Sequence, residues 1–135
     1  MDVFVVKSAL SAASLEFHLA DGDSFVIDIS TPAVGARKAV YERSTAEIHA
    51  IARYFYRLAV APVPWEGDIC WVSLEGDFML EADCDQGGGV RIKALLFDTV
   101  TPEPWSLEVV LKCEAARLRR IARDAAVFFD RGPGA

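Results

Sequence analysis

Basic charge is missing from the middle of the chain: between Arg57 and Arg91 there is neither lysine nor arginine, while Glu66, Asp68, Glu75, Asp77, Glu81, Asp83 and Asp85 all fall inside that interval. With a formal net charge of −6, this argues against a nucleic-acid partner, because neutralising phosphates with lysine and arginine supplies most of that affinity. Cysteine is scarce too. Cys70, Cys84 and Cys113 are odd in number and lack metal-type spacing, so neither a zinc site nor a disulfide framework is expected, and all three are read as small buried hydrophobes. No apolar run approaches the ~20 residues of a membrane span, and the opening MDVFVVKSAL has no basic leader before an apolar core of signal-peptide length. The expectation is a cytoplasmic protein with no membrane partner.

Histidine is limited to His18 and His49. Neither has a carboxylate or cysteine at a ligand spacing, so both are read as packing residues. The local signatures of common catalytic sites are also absent: no G-x-S-x-G, no G-x-x-x-x-G-K, no dinucleotide fingerprint, no H-E-x-x-H and no paired C-x-x-C. Gly87-Gly88-Gly89 follows an acidic strand without opening a helix, so it lacks the dipole and the lysine of a phosphate cradle and reads as a hairpin turn. Carboxylates two apart, Asp83 with Asp85 and Glu66 with Asp68, share a strand face, an ordinary arrangement at turns and edges. The expectation is a chain without metal or cofactor that is not an enzyme.

What is present is alternation. At 135 residues the chain reads as a single domain, 1–135, able to bury roughly two-thirds of the surface it exposes when unfolded. Cys70, Val72 and Leu74 alternate with Trp71 and Ser73, and beyond Glu75-Gly76-Asp77 the alternation resumes with Phe78, Leu80 and Ala82 against Met79, Glu81 and Asp83. After the glycine run, Val90, Ile92, Ala94 and Leu96 alternate with Arg91, Lys93, Leu95 and Phe97. This predicts a three-stranded meander with Cys70, Val72 and Leu74 towards the core and Trp71 outward. Centring its second turn on Gly87 sets Glu81 opposite Lys93, Asp83 opposite Arg91, Leu80 opposite Ala94 and Ala82 opposite Ile92, so opposite charges share the outer face.

Upstream, Val3 with Val5, Leu15 with Phe17 and Leu19, and Phe25 with Ile27 and Ile29 predict three further strands, the last two joined at Asp21-Gly22-Asp23. Arg37 to Glu42, after Thr31-Pro32, is a shorter alternating piece expected near a sheet edge. Ser44-Thr45-Ala46-Glu47 forms a capping box, and Ile48, Ile51, Ala52, Phe55, Leu58 and Ala59 recur at helical spacing until Pro62 and Pro64. Downstream, Trp105, Leu107, Val109 and Leu111 predict a strand that returns along the meander with Glu108 beside Lys93. Glu114 is placed in the first turn of a closing helix with the apolar stripe Leu118, Ile121, Ala122, Ala125, Phe128 and Phe129, stopped by Gly132 and Pro133. Arg117, Arg119, Arg120 and Arg123 lie off that stripe and read as a solvated face, partly paired through Glu114 and Asp124. The expected fold is α+β: an antiparallel sheet of about eight strands with two helices packed on one face.

Trp65-Glu66-Gly67, Trp71-Val72-Ser73-Leu74-Glu75-Gly76 and Asp85-Gln86-Gly87-Gly88-Gly89-Val90 together resemble the W-x-G, W-x-S-L-E-G and D-x-x-G-H-V segments of a family of small uncharacterised bacterial proteins. Pro104-Trp105 before the last strand and Phe128-Phe129 at the end of the closing helix extend the resemblance over most of the chain. Gly89 stands where that family often has histidine, so a role built on that histidine is not carried over. The resemblance implies a fold and no established activity; small acidic proteins of this sort are similar, as a class, to immunity proteins of bacterial toxin systems.

The functional reading is a protein-binding module, an immunity-type inhibitor that docks a basic, toxin-like partner through Trp65, Glu66, Asp68, Trp71, Glu75, Asp77, Glu81, Asp83 and Asp85. An acidic field speeds encounter with a basic surface, and tryptophan is enriched at binding hot spots. Two alternatives stand beside it. One is a small-molecule or enzymatic pocket between sheet and helices using Asp83, Asp85 and His18; the other is a structural subunit, such as a homodimer, associating through Trp71, Met79 and Leu95.

Overall fold

Alternating residues become strands and the two stripes become helices, in the order β1 (Val3–Lys7), β2 (Ser14–Leu19), β3 (Ser24–Ser30), β4 (Gly35–Tyr41), α1 (Ala50–Val60), β5 (Ile69–Val72), β6 (Phe78–Cys84), β7 (Gly89–Asp98), β8 (Trp105–Glu114) and α2 (Leu118–Phe129). The structure, a computed structural model, describes residues 2–20, 24–41 and 50–129. The Asp21-Gly22-Asp23 turn, the capping box from Ser44 to Glu47, His49 and the Gly132-Pro133 stop lie outside the described residues. The fold is α+β and every strand pairing is antiparallel. The eight strands divide into two sheets of four, β1-β2-β3-β4 and β5-β6-β7-β8. The division falls at α1, because strands joined by short turns pair with their neighbours whereas a helix carries the chain away from the edge it has just built. No helix among the described residues is long and apolar enough to cross a membrane.

The inner faces of both sheets and the apolar sides of both helices share one aromatic core. The Phe17 ring lies 5.3 Å from Phe4, 5.8 Å from Phe25, 6.1 Å from Phe55 of α1, 6.1 Å from Phe78 of β6 and 5.7 Å from Phe129 of α2. A fully buried phenylalanine contributes about 1.5–3 kcal/mol from area alone, and favourable edge-to-face geometry adds to that. Helix α1 turns Ile51, Tyr54, Phe55 and Leu58 inward, and α2 does the same with Leu118, Ile121, Ala125, Phe128 and Phe129, the spacing that keeps one helical face against a core. Tyr54 also donates its hydroxyl to the Ile69 carbonyl at 2.8 Å. Burial pushes its phenol far above the ordinary range, so it remains a donor and ties α1 to the start of β5.

The sheets also meet at their edges. On one side the Ala9 amide donates to the Lys112 carbonyl at 2.7 Å and the Lys112 amide to Ser8 Oγ at 3.1 Å, joining the end of β1 to β8. On the other, the Leu74 amide donates to the Tyr41 carbonyl at 2.8 Å. Nearby, Lys38 Nζ of β4 donates to the Phe97 carbonyl at 2.9 Å and lies 3.1 Å from Asp77 Oδ2. Asp77 in turn accepts the Ser73 hydroxyl at 2.6 Å. These bonds tie the two sheets together at their corners.

The β6–β7 register is as the charge pattern requires: Glu81 faces Lys93, Asp83 faces Arg91, Leu80 faces Ala94 and Ala82 faces Ile92. The first hairpin is inverted relative to expectation. Trp71 lies opposite Leu80 and Cys70 opposite Glu81, so Trp71 is inward at 8% exposure while Cys70 is exposed. The reason is the loop: Ser73 and Phe78 close it, with the Ser73 amide donating to the Phe78 carbonyl at 2.9 Å, and an even number of intervening residues sets odd positions of β5 against even positions of β6. Cys84 and Cys113 are buried as expected. In β8, Glu108 faces Leu95 and it is Val110 that faces Lys93, two residues from the predicted register. Glu114 ends β8 and precedes a single 3-10 turn, Ala115–Arg117, instead of sitting inside α2.

Candidate functional site

The carboxylates of the basic-free interval do not form one surface. Glu75 and Asp77 lie in the β5–β6 turn, and there Asp77 is committed to Lys38 and Ser73, with its side chain only 13% exposed. The others gather at the opposite end of the second sheet. Asp68, Asp83 and Asp85 line a depression of about 370 Å³ together with Trp65, Gly67, Cys84 and Arg91. An adjoining depression of about 260 Å³ is lined by Asp68, Glu81, Asp83, Arg91 and Lys93. Glu66 is exposed in the same loop as Asp68.

Two of these carboxylates, Asp85 and Asp83, are fixed by hydrogen bonds. Asp85 Oδ1 accepts from the amides of Gly87 and Gly89, both at 2.9 Å, the local side-chain-to-backbone capping that aspartate favours in turns. Gly88 takes a φ of 85° in that turn. A Cβ at Gly89 would stand 2.8 Å from Asp85 Oδ2, so a larger residue here requires the Asp85 carboxylate to shift. Asp83 receives a two-pronged contact from Arg91, Nε to Oδ1 at 3.1 Å and Nη2 to Oδ2 at 2.8 Å, the strong bidentate form. That hydrogen bond, more than the surrounding charge of Arg91 and Lys93, holds the Asp83 carboxyl below its ordinary range against the opposing effect of burial. A group shifted downward favours the folded state above the ordinary carboxylate range and loses that contribution as pH falls through its lowered value, so Asp83 keeps its charge in mildly acidic solution.

Trp65 forms part of the wall of the first depression, whereas Trp71 lines neither. Both are 8% exposed. Trp65 Nε1 donates to the Ala82 carbonyl at 3.1 Å, and Trp71 packs 6.3 Å from Phe25 and 6.1 Å from Phe78. The exposed apolar side chains beside the acidic turn are others: Leu10, which lines a neighbouring depression with Asp85 and Arg91, and Val63, which approaches Gly88.

Residues 6–132 match the model of a family described as "Family of unknown function (DUF6228)". The chain belongs to that family. No curated protein and no solved structure matches it. In this DUF6228 member the segments that carry the sequence resemblance therefore acquire structural roles. The Trp65 and Trp71 rings close the core beneath β6, and the Asp85-to-Val90 segment is a capped turn.

Cys70 is the residue at this end that alternation misplaced, and counting the loop between Ser73 and Phe78 as even would have found it. Partial burial first, then the nearby Glu81 and Asp68 carboxylates, push its thiol upward, with Arg57 opposing. Because the thiolate is the nucleophile, the native chain should show one accessible thiol that reacts with DTNB more slowly than free cysteine at mildly alkaline pH, Cys84 and Cys113 being protected. A Cys70 rate at or above that of free cysteine would contradict this environment.

The remaining candidates are scattered. His18 sits on β2 of the first sheet, away from the depressions that Asp83 and Asp85 line, so the three do not share a pocket. Contrary to the expectation for its sequence neighbourhood, its Nε2 lies 3.0 Å from Glu16 Oε1; spacing of two along a strand puts both on one face. A depression of about 870 Å³ runs between α1 and the Ala115–α2 segment. Its lining is mostly alanine with Arg119 and Arg123, and contains no carboxylate, imidazole or thiol. The two helices and the 3-10 turn carry six arginines and one carboxylate, Asp124. None of these arginines forms an ion pair with a described residue, so the expected partial pairing through Glu114 and Asp124 is not made. Of the face proposed for self-association, Met79 and Leu95 remain outward and half-buried, while Trp71 has gone to the core.

Proposed function

We propose that this chain is a non-enzymatic protein-binding module that presents the acidic end of its second sheet to a basic protein, in the manner of an immunity-type inhibitor meeting a bacterial toxin. The observation that carries this reading is the convergence of Asp68, Glu81, Asp83 and Asp85 around two adjoining depressions, with Glu66 beside them. Arg91 and Lys93 only partly offset these charges. An acidic patch of this kind orients a basic partner before contact, raising the association rate more than the final affinity. With Trp71 in the core, the apolar part of the contact falls to the edge of Trp65 in the depression wall and to Leu10 and Val63, exposed at the rim.

Glu66→Lys with Asp68→Lys tests the reading, since both positions are exposed and neither makes a described ion pair. Against the basic protein that co-purifies with the full chain, the double variant should associate about tenfold more slowly at low salt. That difference should shrink as salt is added, and dissociation should change little. Glu75→Lys, at the far turn, should leave association unchanged. Wild-type kinetics in the double variant, or an equal loss in Glu75→Lys, would refute the proposal.

A further inference from the structure

We infer that Glu16, His18 and Asp28 form a binding site for a divalent transition-metal ion of intermediate softness, Zn²⁺ being the representative, on the outer face of the first sheet. This site shares no residue with the acidic end and does not depend on the function proposed for it.

The three side chains come from two interior strands. Glu16 stands directly opposite Asp28 in the β2–β3 ladder, and His18, two residues on, projects from the same face. One ligand atom from each lies within 4.8 Å of the other two, and His18 Nε2 and Glu16 Oε1 are 3.0 Å apart. Ligand atoms bound to one Zn²⁺ at about 2.0–2.2 Å stand roughly 3–4 Å from one another, so a small side-chain adjustment on a fixed backbone closes the set.

Charge favours an ion here. Carboxylates directly opposite on one sheet face repel, and a neutral imidazole with two carboxylates balances a divalent cation. What offsets the repulsion in the structure is slight: His18 beside Glu16, and Arg37 Nη1 at 3.3 Å from Asp28 Oδ2. Arg37 lies on the edge strand β4, is 60% exposed and uses a single nitrogen, so it can yield to a metal. The flanking positions in the ladder are valines, Val5 beside Glu16 and Val3 and Val26 beside His18. They offer no competing donors and lower the local dielectric. One nitrogen with two oxygens suits Zn²⁺ and its neighbours over Mg²⁺ or Ca²⁺, which prefer all-oxygen shells. The ligands are about one-third exposed, at 31% for His18, 37% for Glu16 and 31% for Asp28, which leaves room for solvent or a partner's side chain to complete the shell.

The experiment is calorimetric titration of ZnCl₂ into the full, chelator-treated chain, with MgCl₂ as the comparison ion. One saturable Zn²⁺ equivalent is expected, with no comparable Mg²⁺ uptake. His18→Ala and Asp28→Asn should each weaken it about tenfold or more, and circular dichroism should show both variants folded, as their side chains lie outside the core. Cys70→Ser and Asp68→Asn, which remove donors at the acidic end, should leave it intact. The inference is overturned if the wild type takes up no saturable Zn²⁺. It is equally overturned if His18→Ala and Asp28→Asn bind like the wild type, or if Cys70→Ser or Asp68→Asn abolishes the binding.

Discussion

Trp71→Ala should lower the free energy of unfolding by about 3–5 kcal/mol, whereas Trp71→Phe should cost under about 1.5 kcal/mol. The ring fills the space between Phe25 of the first sheet and Phe78 of the second, so truncation leaves a cavity at the junction of the sheets, where rigid strands on both sides limit collapse. Phenylalanine retains most of that packing. It also removes the indole N–H, which is buried and has no hydrogen-bond partner among the described residues, and a buried unsatisfied donor costs about 1–3 kcal/mol. The two variants thus separate packing from polarity at one position. Urea denaturation gives the answer: an alanine variant within about 1 kcal/mol of wild type would place the ring outside the core.

Leu80→Asp should prevent folding, while Glu81→Lys, one residue along, should cost under about 1.5 kcal/mol. Leu80 is fully buried between Trp71 and Ala94 in the ladder, and an aspartate there meets no cation. Burying an unpaired carboxylate, together with the lost apolar contacts, is enough to consume the ~5–15 kcal/mol by which a domain of this size is stable. Glu81 faces outward between Cys70 and Lys93, where water screens the exchange of one charge for another. Far-ultraviolet circular dichroism and denaturation midpoints distinguish the two, and equal midpoints would mean that the inner and outer faces of β6 are exchanged.

Much of this architecture is local and therefore readable along the chain. The strands β6 and β7 and their register follow from a period of two and from the opposite charges at Glu81 and Lys93 and at Asp83 and Arg91. The apolar stripes of both helices follow from 3.6-residue spacing. Each of these features is set by residues a few positions apart, so the amino-acid order alone specifies it.

The acidic end was only half legible in the same way. The interval without lysine or arginine is plain from composition, but the fate of each carboxylate depends on what folding brings beside it. Lys38 reaches Asp77 from the other sheet and takes that charge out of the surface. Trp65 finds the Ala82 carbonyl, seventeen positions away, which fixes its ring in the wall of the depression. Trp71 takes the face opposite to the one alternation predicts because one loop residue more or less inverts every side chain of a strand, and alternation within β5 is the same for either inversion. His18 acquires Glu16 from its own strand, but Asp28 only through the β2–β3 pairing. The division into two sheets is of the same kind. Alternation marks which residues are strands and which side of each is apolar, but carries no information on which edges meet. That is decided in three dimensions, where the aromatic rings of both sheets and both helices are buried together around Phe17.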